Sequence, residues 1–123
     1  MKKPVVYVAS PYSSGDKRKN AIFQCKMFNE FMDDGHIWPI VPLWTHFQDE
    51  LFPRPYEDWL QYDLALLERY DACIRLNATC DDDPDYLITE SSGADREVDR
   101  FTNLGKPVFY SKDKLYEWAK SLA

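Results

Sequence analysis

The sequence predicts an α/β protein in which a mainly parallel sheet of four to five strands lies between helices, as a three-layer α/β/α sandwich. Short β-branched and aromatic segments alternate with segments of helical periodicity along the chain. The first of them, Val5–Ala9, has no polar alternation and is typical of a strand buried on both faces. The length of 123 residues favours a single domain over residues 1–123 with one core.

The first strand leads through a loop into a long helix. Residues 10–16 form the loop, which is rich in turn formers and hydroxyl groups. Lys17–Asp34 has apolar residues at helical spacing, and Gly35 is a residue that suits a helix stop. The positions expected to face the core share this spacing and are Ala21, Cys25, Phe28 and Met32.

The second quarter of the chain predicts a strand, a long loop and a helix. Residues 37–41 predict the strand, and Pro39 favours an edge position because proline has no N–H to donate. Residues 42–56 contain three prolines and predict a loop of the kind that covers a site or moves. A helix is predicted over residues 56–70, with Asp63 beside its inward stripe. That stripe consists of three leucines, Leu60, Leu64 and Leu67.

The C-terminal half continues the alternation. Residues 72–76 predict the third strand, and residues 77–89 predict a polar, acidic loop exposed to solvent. A third long helix is expected from about residue 92, then a strand at 108–110 and a final helix at 113–121. Right-handed crossovers would bring the ends of parallel strands and their loops to one edge of the sheet. This arrangement is flavodoxin-like or Rossmann-like.

Composition and charge narrow the possible partners. The net charge is −6, and the one basic cluster is residues 17–19, so binding to a nucleic acid polymer is not expected. Three cysteines without paired spacing, Cys25, Cys73 and Cys80, predict reduced thiols in a cytoplasmic protein. No apolar run suits a signal peptide or a membrane span, so no membrane partner is expected.

Glu97 is the most unusual residue of the predicted third helix. The apolar stripe of this helix consists of Ala94, Val98, Phe101 and Leu104. Glu97 falls inside that stripe, where a carboxylate is costly to bury unless something uses it. Two interpretations stay open from the pattern: a functional carboxylate, or one at the stripe's edge that reaches solvent or pairs with an arginine.

The start of the same helix predicts an anion site. Ser91, Ser92 and Gly93 would precede or open it, where free backbone N–H groups and the helix dipole favour a negative group such as phosphate. Ordinary capping is the other interpretation, because Ser92 and Asp95 fit a capping box. Both can hold, since Ser91 would still be free to bind an anion.

A pair of carboxylates predicts glycosidic chemistry. Asp63 and Glu97 are the acids expected near inward faces at the ligand-binding edge of the sheet, and cleavage of a glycosidic bond commonly uses two such groups. Five aromatic residues could stack on a nucleobase or pack in the core: Trp44, Phe47, Phe52, Tyr56 and Trp59. His46 could contact a base or phosphate or lie on the surface. No metal or other cofactor is expected, since the histidines lack ligand spacing.

Three motifs in order resemble those of a known superfamily. They are the strand and loop at residues 6–13, Asp63-Leu64 eight residues before Asp71, and Ser91-x-Gly93-x-x-x-Glu97. Over residues 5 to about 110 the chain resembles the nucleoside 2-deoxyribosyltransferase-like superfamily, which includes the 2′-deoxynucleoside 5′-phosphate N-hydrolases.

The resemblance implies a reaction and a role for each matching residue. Glu97 would be the nucleophile that forms a covalent glutamyl-deoxyribosyl intermediate, Asp63 the acid for the departing base, and Tyr7 the hydroxyl that holds Glu97. The implied activity is hydrolysis, or transfer, of the N-glycosidic bond of a 2′-deoxynucleoside 5′-monophosphate. The expected substrate-binding residues are Ser10, Tyr12, Ser13, His46, Ser91, Ser92 and Gly93.

Other features of the resemblance concern the substrate and assembly. An uncharged serine at position 91 suits a phosphate, which an acid there would repel. The first loop has Ser13 where some nucleotide hydrolases have an arginine, with Lys17 or Arg18 as substitutes. The resemblance also implies a homodimer or larger homo-oligomer. A non-catalytic nucleotide-binding module and an interaction protein are the alternative functions, because a shared fold does not ensure shared chemistry.

Overall fold

The computed structural model describes residues 3–122 and contains six strands and five α-helices within them. In chain order the elements are β1 (Val5–Ala9), α1 (Lys17–Asp34), β2 (Trp38–Ile40), a short 3-10 helix (Pro42–Trp44), α2 (Thr45–Leu51), α3 (Tyr56–Leu67), β3 (Ala72–Arg75), β4 (Ala78–Cys80), β5 (Asp83–Ile88), α4 (Ser92–Asn103), β6 (Val108–Phe109) and α5 (Lys112–Ser121).

The main sheet has four strands in the order β2-β1-β3-β6, and all of its neighbouring pairs are parallel. Tyr7 in the middle of β1 lies beside Ile40 of β2 and Cys73 of β3. The predicted α/β class and mainly parallel sheet are confirmed, and the structure is compatible with an α/β sandwich. The edge position predicted for the strand with Pro39 is also confirmed.

Side chains of β1 belong to two hydrophobic clusters, because successive residues of a strand point to opposite faces. Val6 and Val8 pack in one cluster, and Tyr7 and Ala9 pack in the other. The first cluster includes residues of α1 and α5, among them Phe23, Met27, Phe31 and Leu115. The second includes residues of α3 and α4, namely Leu67, Ala94 and Phe101. Each large side chain buried this way contributes about 1.5–3 kcal/mol.

Helix α1 has the predicted bounds but a different inward face. Gly35 ends it in a left-handed conformation with φ of 76°, as predicted, and its N–H donates to the Phe31 carbonyl. Of the predicted inward residues, Ala21 is buried, Cys25 is partly buried, and Phe28 and Met32 are exposed. The buried face instead consists of Asn20, Ala21, Phe23, Gln24, Met27 and Phe31. The prediction was wrong because two of the residues on this face are polar.

The two segments predicted as long loops contain regular structure. Within residues 42–56, Pro42 opens the 3-10 helix, where its missing N–H costs nothing, and α2 follows directly. Within residues 77–89, β4 and β5 form an antiparallel hairpin that turns at Asp81-Asp82. Ile88 packs on the core while Leu87 is exposed, so the period-two pattern of a strand was present but lay beside acidic residues.

Other bounds of the C-terminal two thirds differ slightly from the prediction. Helix α3 ends at Leu67, three residues earlier than expected, and of the three leucines predicted to face inward only Leu67 is fully buried. Leu60 is partly exposed and Leu64 is 37% exposed, because both face a cavity rather than the core. Within residues 3–122, no helix is long and apolar enough to cross a membrane.

Candidate active site

A cavity of about 290 Å³ opens where the polypeptide leaves β1, between the loop after this strand, α2, α3 and the N-terminus of α4. The predicted site residues that line it are Ser10, Tyr12, Ser13, His46, Asp63, Ser91, Ser92, Gly93 and Glu97. Tyr7, the remaining one, lies behind Glu97 in the buried core. Residues 77–89, which were predicted as a loop, do not line the cavity, because most of them form the β4–β5 hairpin, which contacts α1. Ser91 and Ser92, which follow them, do line it.

Tyr7 and Glu97 are joined directly. The Tyr7 hydroxyl donates a hydrogen bond to Oε2 of Glu97. The ring of Tyr7 is 1% exposed, and its centroid lies 5.7 Å from those of both Tyr70 and Phe101. Because this packing fixes the ring, the hydroxyl holds the Glu97 carboxylate at the cavity wall. Glu97 therefore points into the cavity rather than to bulk solvent.

Of the acids that line the cavity, Glu97 and Asp63 have raised pKa values. Burial raises the pKa of Glu97 to about 7; the Tyr7 hydrogen bond opposes this, and the negative charge of Asp63 adds to it. Burial raises the pKa of Asp63 to about 6. Because the carboxyl groups repel each other when both are ionised, the pair holds on average about one proton near neutral pH. Such a pair can supply one nucleophile and one acid.

Arg75 provides positive charge behind the acid pair. Its side chain is 9% exposed at the end of β3, and its guanidinium donates to the carbonyl oxygens of Leu76 and, at 2.6 Å, Thr89. Nε also lies 3.6 Å from an oxygen of Asp95 in the first turn of α4. The charge of Arg75 lowers the pKa of Glu97. Arg75 was not predicted as a site residue, although an arginine inside an otherwise apolar strand was a usable signal.

The N-terminus of α4 is capped by Ser91 and not by Ser92. The Ser91 backbone is extended, and its Oγ accepts a hydrogen bond of 3.0 Å from the N–H of Ala94. The predicted capping box from Ser92 is therefore wrong by one residue. Ser92 and Gly93 form the first helical turn, whose N–H groups an α-helix leaves without internal partners, and both line the cavity. This end of the cavity favours an anion.

Three cationic side chains also line the cavity, namely Lys17, Arg54 and Arg96. Lys17 is one of the two residues suggested to replace the missing arginine. Arg18, the other, instead lies 3.4 Å from Glu50 on α2. Arg54 was not predicted; it forms an ion pair of 3.0 Å with Asp58. The charge of the cavity is therefore mixed, although the whole chain is acidic.

Two buried amides on α1 hold the loops that form the cavity wall. Gln24 donates to the Val8 carbonyl (2.9 Å) and to the Ser10 hydroxyl (2.8 Å), and its oxygen accepts from the N–H of Leu43 (3.0 Å). Asn20, one turn earlier, binds the following part of the same loop. Neither was predicted as functional. Their four-residue spacing, which places both on one face of a helix, was the available signal.

His46 has partners for both ring nitrogens. Nδ1 lies 2.7 Å from the Tyr12 hydroxyl, and Nε2 lies 2.9 Å from Oε1 of Glu50. Tyr12 and His46 both line the cavity, so the site residues predicted from two separate loops come together here. Burial, followed by the charges of Asp49 and Glu50, raises the pKa of the Tyr12 hydroxyl, which therefore stays neutral.

An apolar wall faces this polar side. It consists of side chains from α3: Tyr56, Trp59, Leu60 and Leu64. Trp59 is held by Asp49, whose Oδ1 accepts from the indole Nε1 and from the N–H of Arg54, both at 2.8 Å. Of the five aromatics predicted to stack or pack, Tyr56 and Trp59 line the cavity and the other three do not. A flat aromatic ligand can stack on such a wall.

Comparison of the sequence with known protein-family models gave no match, and comparison with curated proteins gave no significant match. The function is therefore inferred from the cavity and its residues.

Proposed function

We propose that the protein cleaves the N-glycosidic bond of a 2′-deoxynucleoside 5′-monophosphate through a covalent intermediate at Glu97, which water or a second base then resolves. The observation that carries this proposal is the hydrogen bond from buried Tyr7 to Glu97, which holds this carboxylate in a cavity that Asp63 also lines. Enzymes that cleave glycosidic bonds with retention of configuration commonly use two carboxyl groups in one cavity as their catalytic residues.

The first half of the reaction forms one bond and breaks another. An oxygen of ionised Glu97 attacks C1′ of the deoxyribose while the bond from C1′ to the base nitrogen breaks and its electron pair leaves with the base. Asp63 donates its proton to that base. In the second half, Asp63 takes a proton from water or from the incoming base, which attacks C1′ and releases Glu97.

The reactive state has Glu97 ionised and Asp63 protonated. Because the pKa of Glu97 is raised to about 7 and that of Asp63 to about 6, this is the minor of the two singly protonated forms. The Tyr7 hydrogen bond and the charge of Arg75 both favour ionised Glu97 and so increase this population. Activity should follow a bell-shaped pH profile.

The residues that line the cavity support a nucleotide as substrate, since one group of them suits a phosphate and another suits a base. Ser91 is uncharged, and the first turn of α4 together with Lys17 and Arg54 offers donors to a 5′-phosphate. Tyr56 and Trp59 offer a surface on which a nucleobase can stack. The Glu97 and Asp63 carboxyl groups would then act on the sugar between them.

Two structural proposals accompany the activity. The strand order β2-β1-β3-β6 and the division of helices between two clusters support a three-layer, Rossmann-like α/β/α sandwich. A homodimer or larger homo-oligomer stays a prediction from the resemblance.

The direct test is release of free base from a panel of deoxynucleoside 5′-monophosphates, with the matching nucleosides beside them. Glu97→Gln should abolish release, and the wild type quenched during turnover should carry one deoxyribose phosphate on Glu97 by mass spectrometry. Glu117→Gln on the exposed face of α5 is the matched control and should keep full activity. No release from the wild type, or undiminished release from Glu97→Gln, would refute the proposal.

A non-catalytic nucleotide-binding module is the second candidate. The observation that favours it is the pKa of Glu97 of about 7, because a protonated carboxyl group is not a nucleophile. This alternative requires that deoxynucleotides raise the melting temperature of the wild type and of Glu97→Gln equally, with no base released by either.

A further inference from the structure

The β4–β5 hairpin lies outside the main sheet and contacts the loop after β1 from behind. Tyr86 of β5 makes the contact. Its hydroxyl accepts a hydrogen bond of 2.9 Å from the N–H of Asp16 and donates one of 2.7 Å to Oδ1 of Asn20. Two ion pairs attach the hairpin to α1: Lys26 with Asp81 at 2.6 Å and Lys19 with Asp83 at 3.5 Å.

Asn20 transmits this contact to the cavity wall. Its side chain is fully buried, and Nδ2 donates to the carbonyl oxygens of Tyr12 (2.8 Å) and Ser14 (2.7 Å). Since Oδ1 accepts from Tyr86, the amide can donate only towards the loop. The hydroxyl of Tyr86 therefore fixes the orientation of the group that holds Tyr12 and Ser14, and both of these residues line the cavity.

Gly15 shows how closely the hairpin and the loop fit. Its φ of 78° lies in the left-handed region. A Cβ atom at this position would lie 2.8 Å from both the Tyr86 hydroxyl and Cδ1 of Ile88. A side chain at position 15 would therefore push the loop and the hairpin apart.

We propose that Tyr86 is a positioning residue: through Asn20 it holds the cavity wall at residues 12–14 in its ligand-binding conformation. Tyr86 itself does not line the cavity. The hairpin would thus set the ligand affinity of the site from behind the loop. The identity of the ligand as a deoxynucleoside 5′-monophosphate rests on the proposed function, whereas the placement of the loop does not.

Tyr86→Phe tests this with the aromatic ring retained. It removes the hydroxyl that bonds to Asp16 and Asn20, and a lost hydrogen bond corresponds to a change of about threefold to tenfold. Amide hydrogen exchange at residues 12–16 should accelerate by about that factor. In the Glu97→Gln background, Kd for deoxynucleoside 5′-monophosphates should rise by a similar factor, and in the active enzyme KM should rise with kcat unchanged. Tyr110→Phe, at a residue 68% exposed, is the control and should change none of these.

Asn20→Asp is a second, isosteric variant. It would place carboxylate oxygens against the carbonyl oxygens of Tyr12 and Ser14 and should weaken binding more than Tyr86→Phe. If Asn20→Asp does not fold, Tyr86→Phe still decides. Unchanged exchange at residues 12–16 together with unchanged Kd would overturn the inference. A wild type that binds deoxynucleotides but releases no base would refute the proposed function alone. If the wild type binds no nucleotide, the exchange rates of the loop decide the inference by themselves.

Discussion

The hydroxyl of Tyr7 in the central part of β1 donates a hydrogen bond to the carboxylate of Glu97, ninety positions later on α4. This bond crosses from the buried sheet to the cavity. Burial, followed by the charge of Glu97, raises the pKa of Tyr7 well above its ordinary value, so the tyrosine remains a donor at every pH of interest. Glu97 is the group whose charge state varies, and Tyr7 favours its ionised form.

The first prediction concerns Tyr7→Phe. Phenylalanine keeps the ring packed beside Tyr70 and Phe101 but leaves the Glu97 carboxylate without this donor. Because a hydrogen bond to a charged group contributes about 1.5–3 kcal/mol, kcat/KM for base release should fall by about tenfold to a hundredfold. Because Glu97 has the higher pKa of the two acids, the basic limb of the pH–rate profile should also move to higher pH when this donor is lost. Tyr70→Phe, whose ring stacks on Tyr7, is the control; a wild-type profile in Tyr7→Phe would contradict the assignment.

The second prediction concerns Asp63→Asn, which removes the proposed acid. An amide cannot protonate a departing base, so the loss of rate should depend on the leaving group. Release of a base that must be protonated before it can leave should fall by about a hundredfold or more in this variant. A deoxyribose 5-phosphate that carries at C1′ a leaving group that needs no proton should be cleaved by Asp63→Asn at a rate within about tenfold of that of the wild type. Equal losses on both substrates would assign Asp63 to another role.

The third prediction follows from the raised pKa of Glu97. Folded Glu97 keeps its proton up to about pH 7, whereas an unfolded glutamate loses it near its ordinary value of 4.5. The folded state therefore binds more protons between these values, and the free energy of unfolding should decrease as pH rises through this window and level off above it. Because one pKa unit corresponds to about 1.36 kcal/mol, the decrease due to Glu97 over this window should be about 3 kcal/mol.

Urea unfolding of the wild type and Glu97→Gln at several pH values from 5 to 8 measures this effect. Glutamine has no charge to bury, so the variant should lose the part of the pH dependence that is due to Glu97 and be the more stable protein at pH 8. The smaller part due to Asp63, whose pKa is raised to about 6, should stay. Glu117→Gln, with a side chain that is 76% exposed, should follow the wild type. Parallel curves for the wild type and Glu97→Gln would show that Glu97 does not carry the expected proton.

The pattern of apolar residues and of glycine and proline correctly predicted the elements that depend on local sequence. The buried strand Val5–Ala9, the helix stop at Gly35 and the edge strand with Pro39 each depend on local chemistry, and each was predicted. Asn20 and Gln24 were missed because periodicity treats polar residues as exposed. Their burial is offset by loop carbonyls and hydroxyls that only the folded chain brings near.

The residues of the candidate site also fall into those that the sequence pattern could predict and those that it could not. Glu97 could be found because a carboxylate inside an apolar stripe conflicts with its surroundings, and such conflicts often mark functional residues. Its partner Tyr7 looked like any buried strand residue, and only the resemblance to a known superfamily suggested their contact. Asp49 and Arg54 were not predicted as site residues. Asp49 lies in α2 and Arg54 follows it, and this whole segment was predicted as a loop.

The last prediction concerns Asp49, which holds the apolar wall in place. One of its oxygens accepts from both the Trp59 indole and the N–H of Arg54, and these bonds, with the backbone bond the stronger cause, hold the pKa of Asp49 below its ordinary value. Asp49→Ala removes both bonds and should raise Kd for deoxynucleoside 5′-monophosphates by about fivefold to tenfold. Asp49→Asn keeps an oxygen that can accept and should stay within about twofold of the wild type. If the two variants bind equally well, Trp59 needs no support from Asp49, and the stacking wall is fixed by the packing of α3 alone.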